Sequence, residues 1–192
     1  MSPGFDPGEP FSGAEIAAAM VRLHEESERY LAAIPAVEFA APQGEKWSPA
    51  DHVRHLAKST FPLVPALGLP KLLVGLRFGR ARSASRRFVA LRDDYRKLLW
   101  ATGATAGRFA PSPRPLPDDL EAWQREVLGS WRGAVSGLAA RIPGWSERAL
   151  DRYRLPHPLL GKLTVREMLF FTLYHNAHHL DLVAGRRHGA GV

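Results

Sequence analysis

The chain has 192 residues, enough to bury a substantial core in one domain without disulfides or a structural metal. It contains no cysteine, which excludes a disulfide framework, a thiolate metal site and a cysteine nucleophile, so any metal must rest on nitrogen and oxygen ligands. The formal net charge of +7 raises the question of a nucleic-acid or other anionic partner. Arginines gather at Arg77, Arg80, Arg82, Arg86 and Arg87, but no aromatic-interleaved RNA motif, helix-turn-helix pattern or zinc finger accompanies them, and a nucleic-acid partner is not expected.

The first residues, Met-Ser-Pro-Gly-Phe-Asp-Pro-Gly-Glu-Pro, lack the basic region and apolar core of a signal peptide, and the expectation is a cytoplasmic protein. The longest apolar stretch, Phe61 to Leu76, is interrupted by Pro62, Pro65, Pro70 and Lys71 and falls short of the roughly 20 apolar residues that cross a bilayer, so no membrane span is expected. A single domain over residues 1–192 is expected, with flexible ends at 1–11 and 187–192.

Ser12-Gly-Ala-Glu15 reads as a capping box that opens a helix running to about Ile34, with Ile16, Met20, Leu23, Tyr30 and Ile34 forming one apolar stripe. Residues 35–44 are a connection. Ser48-Pro49 then starts a second helix, the serine as cap and the proline where a missing N–H costs nothing. From Phe61 to Arg82, prolines and glycines predict short helical pieces or a lid-like insertion. Ser85 to Leu99 is helical, and the proline-rich run Pro111 to Pro117 is extended. A long helix follows from Asp118, its acidic first turn suiting the helix dipole, and ends before Pro143. After a loop carrying His157, Thr164-Val-Arg-Glu167 is a second capping box for a last helix that Gly185 or Gly189 stops. No strand pattern or repeat competes, and the expectation is an all-α bundle.

Three of the eight histidines fall within Tyr174-His175-Asn176-Ala177-His178-His179. Residues four apart stack on one helix face, so His175 and His179 can both address one ion, while His178 is rotated about 100° from His179. Two imidazoles bind poorly without a third ligand, and the second helix offers His52 or His55, three apart and near one face. The bland alternative, that these are surface or core histidines, carries equal weight on spacing alone.

Trp47-Ser-Pro-Ala-Asp-His-Val-Arg-His55-Leu-Ala resembles the signature of the DinB-like superfamily, a tryptophan followed eight residues later by a His-Leu pair. Leu160-Gly-Lys-Leu-Thr-Val-Arg-Glu-Met-Leu and Tyr174-His-Asn-Ala-His-His179-Leu resemble its C-terminal half, in the right order. The resemblance implies a four-helix bundle of DinB-like type with a long crossover and, here, an irregular helical insertion. It also implies a divalent metal on His55, His175 and His179. His52 has no ligand counterpart and is expected as a pocket residue behind the ligands, or as a base. The sequence departs from the family at Leu182, where many members carry glutamine, with Asp181 beside it. His24, His157 and His188 have no motif partners and read as solvated or loop histidines.

Three neutral imidazoles leave an ion its full charge and an open position, so a thiol or water would be acidified and a carbonyl polarised. Similar family members are transferases and isomerases that use bacillithiol or mycothiol, and proteins described as metal-dependent hydrolases. The resemblance therefore implies a metal-dependent enzyme acting on a small-molecule substrate, with a low-molecular-weight thiol as cofactor; the alternatives are a hydrolase with His52 as base, or a non-enzymatic stress-linked metal-binding or scaffolding protein. Zinc or nickel is expected first, with iron, manganese or copper as alternatives. Arg54 or Arg77 would hold an anionic thiol. Glu167 behind the ligands is the weaker reading, because its cap role explains it. A homodimer is a further expectation from the family.

Overall fold

Residues 4–42 and 47–185 are described by the computed structural model, and the elements follow the local rules of the sequence closely. Helix α1 (Gly13–Ala32) opens as the capping box requires: the Ser12 hydroxyl accepts the Glu15 N–H at 3.2 Å, and the Glu15 carboxylate accepts the Ser12 N–H at 2.8 Å. The connection after it contains a short helix, α2 (Ala36–Ala40), that buries Phe39. Helix α3 (Pro49–Thr60) starts at Ser48, whose hydroxyl accepts the Asp51 N–H at 3.1 Å. The irregular stretch resolves into α4 (Leu63–Gly68) and α5 (Lys71–Phe78), broken between them at Leu69-Pro70. Helix α6 (Phe88–Thr102) ends at Gly103 with φ +58°, a left-handed turn that favours glycine.

Helix α7 (Leu120–Ala139) is capped by Asp119. A short helix, α8 (Glu147–Arg152), follows. The stretch around His157, read from the sequence as a loop, instead holds an antiparallel hairpin of β1 (Arg154–His157) and β2 (Gly161–Thr164), paired Arg154 to Thr164 and His157 to Gly161. Four residues a strand, one of them Pro156, are too few for a period-two signal. Helix α9 (Val165–Val183) begins at the predicted Thr164/Glu167 capping box, and Gly185, at φ +72°, supplies the stop. His188, Gly189 and the expected tail at 187–192 lie outside the described residues.

The class is all-α, with one two-stranded hairpin among the described residues. Helices α1 and α3 each pack against both α7 and α9, which makes four long helices a bundle with α7 and α9 across one diagonal. The diagonal is bridged at the centre, where the Trp131 indole N–H donates to the Asn176 side-chain oxygen at 2.8 Å. The chain between α3 and α7 is the long crossover, and it lays α6 along α9 and α5 against β1. One apolar cluster runs from Phe5 to Val183.

Residues 4–11, within the segment expected to be flexible, include a docked side chain. Phe5 is buried, its ring edge-on to Tyr30, and its N–H donates to the Asp181 carboxylate at 3.2 Å. A single aromatic residue among prolines carries no periodic signal of that docking. No single helix among the described residues is long and apolar enough to cross a membrane.

Arg166 fastens this end of the molecule. Its side chain is 1% exposed, and its guanidinium donates to Asp151 at 2.6 and 3.1 Å and to the Glu147 carbonyl at 3.0 Å, pairs with the Glu147 carboxylate, reaches the Phe11 carbonyl, and lies over the Phe11 ring. One planar fork thus joins α8, α9 and the chain before α1. Arg166→Met fills similar volume but leaves those acceptors without their partner, a loss of about 3 kcal/mol. A fall in melting temperature of roughly 10 °C is expected by thermal denaturation, with metal content of the purified protein unchanged; a shift within a degree or two would show that the fork is not a fastening.

Candidate metal centre

The histidines meet because α3 and α9 pack side by side with their polar positions turned inward. On α9, His175 and His179 lie one turn apart on the face toward α3; His55 comes across from α3. One nitrogen from each of the three lies within 4.8 Å of the other two, forming a group able to hold a metal ion. His55 and His175 are buried and His179 half-buried. The Nε2 atoms of His55 and His175 face each other at 3.0 Å. Two ring nitrogens about 2.1 Å from one ion stand roughly 3.0 Å apart at a right angle and 3.4 Å apart at a tetrahedral one, so this spacing is close to that of a shared ion.

Aromatic rings wall the group. Trp47 stacks on His179 at 16° between planes with centroids 6.1 Å apart, and it lies 5.1 Å from the His55 ring and 5.5 Å from that of His52. Phe171 stacks on His175 at 5.0 Å. The sequence marked Trp47 only as part of a motif; in the structure it is the common wall of three imidazoles.

Electrostatics keep these imidazoles unprotonated. Burial, reinforced by the neighbouring histidines, pushes His175 and His179 well below the ordinary 6.5. Burial also lowers His55, opposed by its bond to Phe109 and aided by Lys58. His52 falls to about 4, chiefly through burial, then through His55, against the pull of Asp51. Neutral imidazole is the form that binds metal.

The tautomer of His55 follows from its outer nitrogen. His55 Nδ1 lies 3.0 Å from the Phe109 carbonyl oxygen, which can only accept, so the proton is on Nδ1 and the Nε2 lone pair points at the group. A carbonyl behind a ligating imidazole is the usual supporting contact in metal sites. His52, on the same helix, sets its Nδ1 2.8 Å from His179 Nδ1. His52 therefore touches the group through His179, from the same helix that carries His55.

The other sequence candidates separate. Glu167 is a cap and ion-pair residue: it accepts the Thr164 N–H at 3.0 Å and Arg86 Nε at 2.8 Å, about 12 Å along the helix from His175. Asp181 holds Phe5. Arg54 sits on α3 between His52 and His55, paired with Asp51 at 2.9 Å, while Arg77 lies over Phe78 on α5. His178 stacks on Tyr174, centroids 5.9 Å apart.

His24 and His157 are not solvated. His24 is buried on α1, edge-on to Trp131 at 4.5 Å with Nε2 3.2 Å from the Glu28 carboxylate. His157 is buried on β1, its ring 4.1 Å from Phe171, and its Nδ1 accepts the Leu159 and Leu160 N–H groups that close the hairpin. A histidine fixing a tight turn has no spacing signature, and it was invisible without the hairpin.

The sequence of the DinB superfamily matches this chain over residues 39–183, a span that includes α3, the crossover, α7 and all four clustered histidines. The chain belongs to the DinB superfamily. No curated protein and no solved structure gives a significant match.

The buried histidines set a pH dependence. His157 falls to about 4 from 6.5 through burial alone, and His24 shifts the same way, from burial against the pull of Glu28. Their folded values lie below the unfolded one, so as pH falls through 6.5 the unfolded chain binds protons that the folded chain refuses. Stability of the metal-free protein is then complete above about pH 7 and declines steadily toward pH 5, a window in which exposed carboxylates do not yet titrate. Melting temperatures measured across that window in the presence of a chelator should fall by several degrees; a flat profile would contradict burial of neutral imidazoles.

Proposed function

We propose that the protein is a metal-dependent enzyme that transfers a low-molecular-weight thiol, or acts with one, on a small electrophilic substrate. The observation that carries this reading is the donor set: three unprotonated imidazoles, two buried and one half-buried, without a carboxylate among them. His55, His175 and His179 would hold a divalent ion, zinc or nickel first, and a bound ion with three neutral ligands keeps its full charge and acidifies a thiol.

The chain's own residues supply the rest. Phe109, through its carbonyl, holds the His55 ring with its lone pair inward. With His179 Nε2 turned to the ion, its Nδ1 would carry the proton, and His52 Nδ1, 2.8 Å away, would accept it. Trp47 and Phe171 fix ring planes and keep water from the ligands' flanks. Hydrolysis ranks second, because the base it needs is His52, and a His52 nitrogen already committed to His179 is not free to take a proton from water.

The test begins with elemental analysis of tag-free protein beside His55→Ala and His175→Ala. About one metal per chain in the parent and a small fraction of that in both variants is expected, followed by thiol-dependent turnover of monochlorobimane that disappears with the metal. A parent without metal after reconstitution would end the enzyme reading. A metal-loaded parent without thiol-dependent turnover would end the transferase reading and leave the centre.

His52 gives a finer prediction. His52→Asn retains an acceptor near the Nδ1 position and should keep metal affinity within a few-fold, whereas His52→Phe should weaken it by about 10–100-fold. Competition with a chromogenic chelator measures both; equal affinities would assign His52 no role behind the ligand.

A further inference from the structure

Beside the histidines, the groove between α3 and α7 opens into a cavity of about 640 Å³, within the range of small-molecule sites. Small side chains make the depth. Ala57 on α3 and Val127 and Ala134 on α7 are buried and form its floor, and Phe61 and Phe109 add to its lining.

The rim is cationic. Arg54, Lys58, Arg108 and Arg114 line the cavity against a single carboxylate, Glu126. Arg54 is balanced by Asp51, at 2.9 Å. Among the described residues, the other three are held by groups that do not cancel their charge. Lys58 Nζ donates to the Ala110 carbonyl at 3.0 Å, Arg108 lies 4.9 Å over the Phe109 ring, and Arg114 lies 5.4 Å over the Trp123 ring. Carbonyls and aromatic faces fix the side chains in place while leaving their charge available to a ligand, which lowers the ordering cost of binding. Three cations against Glu126 leave an excess of two positive charges over an apolar floor.

We infer that this cavity binds a small organic anion, with an apolar body on the Ala57, Val127 and Ala134 floor and a carboxylate or phosphate head on Lys58, Arg108 and Arg114. Shape and charge each exclude a simpler occupant: a bare inorganic anion leaves the floor uncovered, and a neutral apolar molecule leaves the cations unanswered. The site shares Phe109 with the histidine group: the residue lines the cavity, and its carbonyl holds His55. Its occupancy does not require the metal.

Titration calorimetry of the full chain, with and without chelator, tests this with four probes: hexanoate, hexyl phosphate, hexanol and inorganic phosphate. One of the two six-carbon anions should bind one per chain, at least ten-fold more tightly than hexanol or phosphate, equally with chelator present, and more weakly as salt is raised. The tighter anion identifies the head group. The double variant Arg108→Glu/Arg114→Glu, at exposed positions, should lose at least ten-fold, and so should Ser130→Trp, which fills the cavity from its exposed edge. Leu76→Ser, on the exposed face of α5 away from the cavity, should bind as the parent does. Neither anion binding, hexanol or phosphate binding as well as the anions, or the charge-reversed variant binding as the parent does would each overturn the assignment. Because chelation leaves the expected binding intact, its failure is separable from failure of the metal reading.

Discussion

Helix α9 is enclosed by α1, α3, α6, α8 and both strands of the hairpin, and most of the architecture answers the demands of that enclosure. A helix buried all round has no solvated face on which to leave polar groups, so each polar side chain on it must find a partner inside the protein. Arg166 meets Asp151 and Glu147, Glu167 meets Arg86, Thr172 donates to the Met168 carbonyl, Asn176 meets Trp131 and Asp181 meets the Phe5 N–H. These partners come from almost every other part of the chain. The buried polar residues of one helix therefore specify where α7, α8, the segment before α6 and the N-terminal residues can sit, and they do so with more direction than apolar packing supplies.

His175 and His179 are the polar residues of α9 whose partners are other histidines. An imidazole facing an imidazole satisfies one donor and one acceptor, but it gives little directional preference over an apolar pair and costs the burial of two polar rings. Such an arrangement is hard to account for as packing. It is well accounted for by a centre that needs lone pairs converging on one point, kept neutral by burial and by mutual repulsion of their protonated forms. The same burial that suits the rings to metal makes the fold sensitive to acid, so the two properties have one cause.

How much of this was legible in the sequence depends on the length over which a signal accumulates. The long helices were readable because apolar spacing and caps agree: Ser12 with Glu15, Ser48 with Pro49 and Thr164 with Glu167 mark starts that the structure reproduces. The three histidines were readable because two lie one turn apart and the third belongs to a motif with Trp47. What failed to show were features defined by contacts far apart in the chain. Phe5 docking on Asp181, His157 closing a four-residue-strand hairpin and His24 buried against Trp131 each depend on a neighbour that no local pattern names. Histidine in particular is read poorly in isolation, since a polar ring is counted as surface until its partners are known.

The support behind His55 comes from a stretch between two readable elements, the helix ending near Leu99 and the proline run from Pro111, and there is a physical reason for that. Carbonyls within a helix are already engaged by the N–H groups four residues on, so a helical bundle has few to offer to a ligand's outer nitrogen. A carbonyl that can turn toward an imidazole must come from a helix end or an irregular segment. Residues 107–112 are such a segment: a single tight turn, Gly107–Phe109, leads into the proline run, whose missing N–H groups cannot recruit the chain into a strand or helix. Their free carbonyls at Phe109, Ala110 and Ser112 are taken by His55, Lys58 and Arg54, three side chains on adjacent turns of α3. The irregular crossover is thus the necessary complement of the regular bundle, because it brings to the histidines the one kind of backbone group that the helices cannot spare.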